Sequence, residues 1–442
     1  MTPYEEPAPS APAHGAFITP GYKAGFALVV SLFFLWAIAN NFNDILIRQF
    51  QKALDLNRAE AGLIQFIFYI GYFTMALPAG MVMRRFGYRA GILTGLGLYA
   101  VGALLFYPAA EIRVYAAFLG ALFVLAAGAA FLETAANPYI VAFGNPSRAE
   151  QRLNLAQAFN GFGGFLAPII GGIFIFSGIE HSKADIAAMA AAQQTAYRAA
   201  EAQMVQGPYL VLAAVVVLIA IAVAMVRLPR IDPPAATGAK RESLFSVLRE
   251  PELLGAVIAQ FFYIGAQVGV WSFFIDFVKE VTPTTPERTA AFLLSFSLAL
   301  FMAGRFIGAA LMHKIAATRL LLIFALAGIA LAVIAALTGG WIAVGALTLS
   351  SFFMSIMFPT IFSLGLKGLG ERAMLGAPLI VMAIIGGAVF PPLMGLISQW
   401  EGALQPVMLM PGACFAIVAI YAMRAHKAGI DAAGSAPVPT IH

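Results

Sequence analysis

The chain has 442 residues, of which 61% are hydrophobic and only 11% are charged, against roughly a quarter charged in an ordinary soluble domain. With a mean hydropathy of +0.87, it has too few charged side chains to cover a soluble core. The composition therefore points to a polytopic membrane protein and excludes most soluble enzymes. The net charge of +5 reads as basic loops facing anionic lipid, with no nucleic-acid partner expected.

One helical span takes about 20 apolar residues. Residues 1–21 lack a basic n-region and read as a disordered cytoplasmic tail, not a cleaved signal. Six apolar runs follow, at 22–47, 59–83, 90–109, 115–143, 153–177 and 208–226. They define an expected N-terminal bundle over 22–228, followed by a basic linker over 229–251 that contains the helix-breaking Asp232, Pro233 and Pro234. Six more runs, at 252–278, 289–312, 320–338, 341–366, 375–398 and 404–423, define a C-terminal bundle over 252–424 and a tail over 425–442. The expected fold class is all-α, with twelve transmembrane helices in two pseudo-symmetric six-helix bundles. The polar, Ala/Gln-rich segment 178–207 is expected to form a short surface helix outside the membrane.

Of the 26 Lys and Arg residues, seventeen fall at one set of span ends, eight at the other, and Arg305 lies inside a span. The positive-inside rule then places both termini in the cytoplasm. The single cysteine, Cys414, excludes a disulfide framework or CxxC metal spacing. His14, His181, His313, His426 and His442 lie in tails or loops, so no cofactor or metal is expected.

The halves match at equal spans. The fourth and tenth runs align around Pro138 and Pro359, and the fifth and eleventh around Pro168 and Pro392. Repeats of this kind let two bundles rock about a site at the bilayer midplane. The polar groups break the symmetry. Glu133 corresponds to Met354, Gln157 to Val381 and Asn160 to Ile384. In the first run, Asn40 and Asn41 share a helical face with Asp44 at spacings of four and three.

A carboxylate at mid-membrane costs about 2.5–3.5 kcal/mol. Asp44 is either hydrated near an interface or part of a proton-coupling site. Glu133, deeper in its run and with no evident counter-charge, is either a protonated or paired structural acid or the coupling group itself. The seventh run carries Gln260, Tyr263, Gln267 and Trp271 on one face. Amides and flat rings there, with Trp36 in the first run, suit a sugar's hydroxyls and C–H face, and interhelical amide bonds are the alternative. Arg305 reads as part of a gate or a structural ion pair.

Residues 33–46 (FFLWAIANNFNDIL), 132–138 (LETAANP), 152–157 (RLNLAQ), 259–267 (AQFFYIGAQ) and 359–365 (PTIFSLG) resemble the bacterial L-fucose permease branch of the major facilitator superfamily. The resemblance runs from about 33 to 422, and the ETAANP and NDIL strings are specific to that branch. Arg84 stands where the general facilitator loop motif usually carries an acid, which puts the usual loop-gating ion pair in doubt. The resemblance implies a monomeric proton symporter for L-fucose or a related monosaccharide in the bacterial inner membrane. It also implies coupling through Glu133 and Asp44 and a cavity lined by Asn41, Gln157 and Asn160. Relatives that take glucose, galactose or N-acetylglucosamine, some with sodium, keep alternatives open. So does a sugar sensor that does not transport. A membrane-embedded enzyme finds no HExxH or GxSxG string here, and a channel would want a symmetric polar ring.

Overall fold

The structure is a computed structural model that describes residues 17–54, 58–174, 188–229 and 244–430; within these, some side chains, including those of Asn43 and Asp44, are not described. The described residues are helical and contain no strand. Nine stretches among them are long and apolar enough to cross a bilayer. One of the nine, Phe66–Ile112, is two spans, because the helix Arg58–Ile112 is interrupted at Gly87 (φ 83°, ψ 171°). A side chain rarely adopts that backbone, so glycine makes the turn. The helices Lys23–Leu54 and Ala149–Phe174 are the first and fifth spans, which brings the total to twelve.

The remaining spans are Tyr115–Ala142 (fourth), Gln206–Met225 (sixth), Pro251–Ser272 continued by Phe274–Val281 (seventh), Glu287–Leu311 (eighth) and Ala317–Leu337 (ninth). The tenth is Gly340–Met354 with Met357–Leu366, the eleventh Ala373–Met382 with Gly386–Glu401, and the twelfth Leu409–Lys427. Each expected run finds its helix. In the segment expected to carry a surface helix, the structure has Ala191–Gln203, while 178–187 lie outside the described residues.

Periodicity did not reveal the breaks in the tenth and eleventh spans. The tenth breaks between Met354 and Met357, and a 3-10 turn, Ala383–Ile385, interrupts the eleventh. The break in the tenth fits against the eighth span at two glycines one turn apart. A Cβ on Gly304 would stand 2.5 Å from Ser355 Oγ, and one on Gly308 would stand 2.2 Å from Ile356 Cγ2. Small residues let membrane helices approach this closely.

The ends of the spans that hold most of the Lys and Arg form the basic end. There Arg152, fully buried, donates to the carbonyls of Phe17, Ile140, Val141 and Asn145 and pins the turn between the fourth and fifth spans. Between the halves, the fifth span packs on the eighth and on the second part of the tenth, and the second span packs on the eleventh.

Gly308→Val is expected to lower stability by about 1–3 kcal/mol through overpacking. Gly97→Val, where nothing lies within 4 Å, should be neutral. Thermal unfolding of both variants in detergent checks this.

Candidate functional site

The polar groups of the N-terminal half converge on one residue of the other half, Arg305. Its Nε donates to the carbonyl of Ser355 at 3.1 Å, an acceptor at the break in the tenth span. Its Nη1 donates to Gln157 Oε1 and Asn160 Oδ1, each at 3.2 Å, and to the Gln157 carbonyl. The guanidinium lies over the Phe301 ring, 4.5 Å from its centroid. Arg305 is 4% exposed. It is also the basic group that faces Glu133, without a direct ion pair between them.

Arg305 corrects the expectation that Glu133 has no counter-charge. Arg305 lies on the eighth span and Glu133 on the fourth, so their sequence separation hides their proximity. It also refines the reading of Arg305 as a gate or structural ion pair. The residue is a hydrogen-bonded bridge between the halves.

On its other side Glu133 meets Tyr72 of the second span. The Tyr72 hydroxyl is buried and accepts from Asn40 Nδ2 at 3.1 Å, which leaves its proton available to Glu133. Sequence reading missed Tyr72, which is one more aromatic in an apolar run. A lone tyrosine in such a run, needing a partner for its hydroxyl, was the available signal.

The other anticipated residues divide into two groups. Gln157 Nε2 donates to Asn137 Oδ1 at 3.1 Å, and Asn160 Nδ2 donates to the Phe33 carbonyl at 3.1 Å. Asn41 bonds back to the Ala37 carbonyl at 2.8 Å and lies against Gly164 of the fifth span. Gln157, Asn160 and Asn41 therefore sit around Arg305 and the first span. Asp44 is on the helix of the first span, but its side chain lies outside the described residues.

Of the three aromatic residues, Trp36 and Tyr263 are buried in this conformation and Trp271 is half-buried. Trp36 is buried against Phe33, with ring centroids 4.4 Å apart. Tyr263 is fully buried and donates to the Met354 carbonyl at 2.9 Å, a second acceptor at the break. Trp271 donates from its indole nitrogen to Ser351 Oγ at 3.0 Å. Helical periodicity predicts which face a residue is on, but not whether that face is open in one conformation. Gln267, beside them on the seventh span, is buried too.

From Asn160 toward the basic end, one stripe of the fifth span meets the other half. Asn154 donates to Thr360 Oγ1 at 3.2 Å and contacts Met312 Sδ at 3.4 Å. Gln151 meets His313, and Glu150 forms a buried ion pair with Lys367 at 3.0 Å. Several polar atoms in this region are buried without a hydrogen-bond partner among the described residues: Asn137 Nδ2, Asn154 Oδ1, both amide atoms of Gln260 and Ser363 Oγ.

The sequence pattern of the Major Facilitator Superfamily matches residues 24–377. The chain belongs to that superfamily. It is 44% identical over 406 residues to the L-fucose-proton symporter of Escherichia coli (strain K12), covering 91% of this chain and 93% of that protein. It is 40% identical over 408 residues to the glucose/galactose transporter of Brucella abortus, covering 91% and 95%. A crystal structure of the superfamily transporter FucP, solved in the outward conformation, superposes with a TM-score of 0.85 at 44% identity, covering 91% of this chain and 99% of that one. The facilitator fold with two six-helix bundles, expected from the runs, is the fold of this chain.

The buried pair at the basic end gives a direct test. Removing one partner of such a pair typically costs about 3–5 kcal/mol, so Glu150→Gln should loosen this end. A cysteine at Ser363, in a Cys414→Ala background, should react with a membrane-impermeant thiol reagent at least about tenfold faster in Glu150→Gln, as expected for a shift of ~1.4 kcal/mol. Adding Lys367→Met should reverse part of that gain.

Proposed function

We propose that this facilitator carries L-fucose or a closely related monosaccharide together with a proton, by alternating access. The observation that carries the reading is the contact of Arg305 with Gln157 and Asn160, opposite Glu133. A sugar hydroxyl entering beside Gln157 and Asn160 competes for the amide oxygens that Arg305 now occupies. Arg305, released, is then free to turn toward an ionised Glu133. Sugar occupancy and the charge on Glu133 are coupled through one cation. Asp44, one turn from Asn40 on the first span, is the second candidate for passing occupancy to Glu133. Asn41, Gln267 and the ring faces of Trp36, Tyr263 and Trp271 contribute to sugar binding once the bundles separate enough to expose them.

The polar contacts along the fifth span close the basic end, and the similarity to an outward structure supports assigning this conformation as outward-facing. Buried polar atoms without partners are costly, at about 1–3 kcal/mol each. Those of Asn137, Asn154, Gln260 and Ser363 make sense as groups that line the inner path and meet water when the basic end opens. With the basic end in the cytoplasm, both termini are cytoplasmic and the chain resides in the bacterial inner membrane as a monomer.

The Brucella relative named as a glucose/galactose transporter favours a second reading, with the same machinery and a different hexose. Uptake of labelled L-fucose, D-glucose, D-galactose and N-acetylglucosamine into proteoliposomes, with and without an imposed pH gradient, separates them. Accumulation of L-fucose only under the gradient is expected. Accumulation of glucose or galactose in its place selects the second reading, and a dependence on sodium alone contradicts proton coupling. Glu133→Gln, which imitates the protonated acid, should keep sugar exchange at equilibrium but lose gradient-driven accumulation.

A further inference from the structure

Away from the site between the halves, the basic end has a groove between the seventh and twelfth spans. It encloses about 110 Å³ and is lined by Glu252, Gly255 and Ile258 on one side and Ile417, Tyr421 and Arg424 on the other. Ile258 is 45% exposed and the neighbouring Ile420 is 52% exposed, so the groove opens sideways toward the acyl chains of the bilayer. Gly255 gives it a floor. A Cβ there would stand 3.0 Å from the ring of Tyr421, which packs flat against the glycine backbone. Tyr421 is buried, and its hydroxyl has no hydrogen-bond partner among the described residues. At the mouth are one acid and one base, Glu252 in the first turn of the seventh span and Arg424 in the last turn of the twelfth. Neither forms a salt bridge among the described residues. Helix dipoles favour each charge at its own helix end. They do not explain why both charges and an apolar wall line one groove.

We infer that this groove binds an aminophospholipid of the leaflet at the basic end, with its phosphate on Arg424, its primary ammonium on Glu252 and an acyl chain along Ile258, Ile417 and Ile420. The charge pattern selects the headgroup. A phosphate meets the guanidinium through charge-assisted hydrogen bonds, and only a headgroup that also carries N–H donors completes the acid. Phosphatidylglycerol has no ammonium, and the trimethylated nitrogen of phosphatidylcholine has no N–H to donate. None of these residues lies in the path assigned to the sugar, so the inference stands or falls apart from the transport reading.

The test is native mass spectrometry of the full-length protein, delipidated and then incubated with phosphatidylethanolamine, phosphatidylglycerol or phosphatidylcholine. The wild type should retain phosphatidylethanolamine about tenfold better than either of the others, the ratio that ~1.4 kcal/mol gives. Arg424→Ala should lose retention of all three lipids, and Arg424→Lys should recover part of it. Glu252→Gln should retain phosphatidylethanolamine and phosphatidylcholine equally. Thermal unfolding of each variant, expected near that of the wild type, separates lost binding from misfolding. Equal retention of the three lipids by the wild type would overturn the inference, as would undiminished retention by well-folded Arg424→Ala. Preference for phosphatidylglycerol would mean a simple anion site and would overturn it as well.

Discussion

Arg305 carries a full charge into a region that water hardly reaches, and the surrounding structure is arranged to satisfy it. A guanidinium has five N–H donors and no acceptor, and in a membrane each unmet donor is costly. The fold meets this demand from both halves. The tenth span breaks beside Arg305 and presents the Ser355 carbonyl, and the two glycines of the eighth span let the broken helix come close enough to be reached. The fifth span supplies the amide oxygens of Gln157 and Asn160, and Phe301 supplies a ring face. Because acceptors on both bundles share one cation, moving the bundles apart requires something else to satisfy those groups. A sugar with several hydroxyls and an ionised carboxylate are two things that could.

The same arrangement explains why the halves, alike in helix plan, differ in chemistry. The N-terminal half contributes the acid and amides, at Glu133, Gln157 and Asn160. At the positions related by the repeat, the C-terminal half has Met354, Val381 and Ile384, all buried. What the C-terminal half offers instead is backbone. At the break in the tenth span the carbonyls of Met354 and Ser355 accept from Tyr263 and Arg305. One half therefore supplies the acid and the amide side chains, and the other supplies backbone acceptors and the cation Arg305. Two identical polar halves would not give that division.

Much of this was legible in the sequence. Twelve runs of the right length, a basic linker and the excess of Lys and Arg at alternate ends follow from the physics of the bilayer, which acts on every span alike. Glu133, Gln157 and Asn160 stood out because polar groups in apolar helices are costly and need a reason. Long-range proximity was not legible. Arg305 and Glu133 are on different spans in different halves, and no periodicity links them. The break in the tenth span had a signal in Pro359, which has no N–H to bond the Ser355 carbonyl four residues back, but the fit of that break against glycines on another helix had none. Trp36 and Tyr263 illustrate a third limit. Both are buried in this conformation, but whether their helix faces are wet depends on the conformation, and a carrier has more than one.

The central claim is that protonation of Glu133 and the hold of Arg305 across the two halves are one equilibrium. Distances between spin labels on the two bundles at the basic end, measured by pulsed electron resonance as a function of pH without sugar, test it most directly. In the wild type the populations of closed and open basic ends should shift with pH. In Glu133→Gln they should stay at one ratio throughout. The same pH-dependent shift in both proteins would contradict the claim and place the proton-sensing group elsewhere.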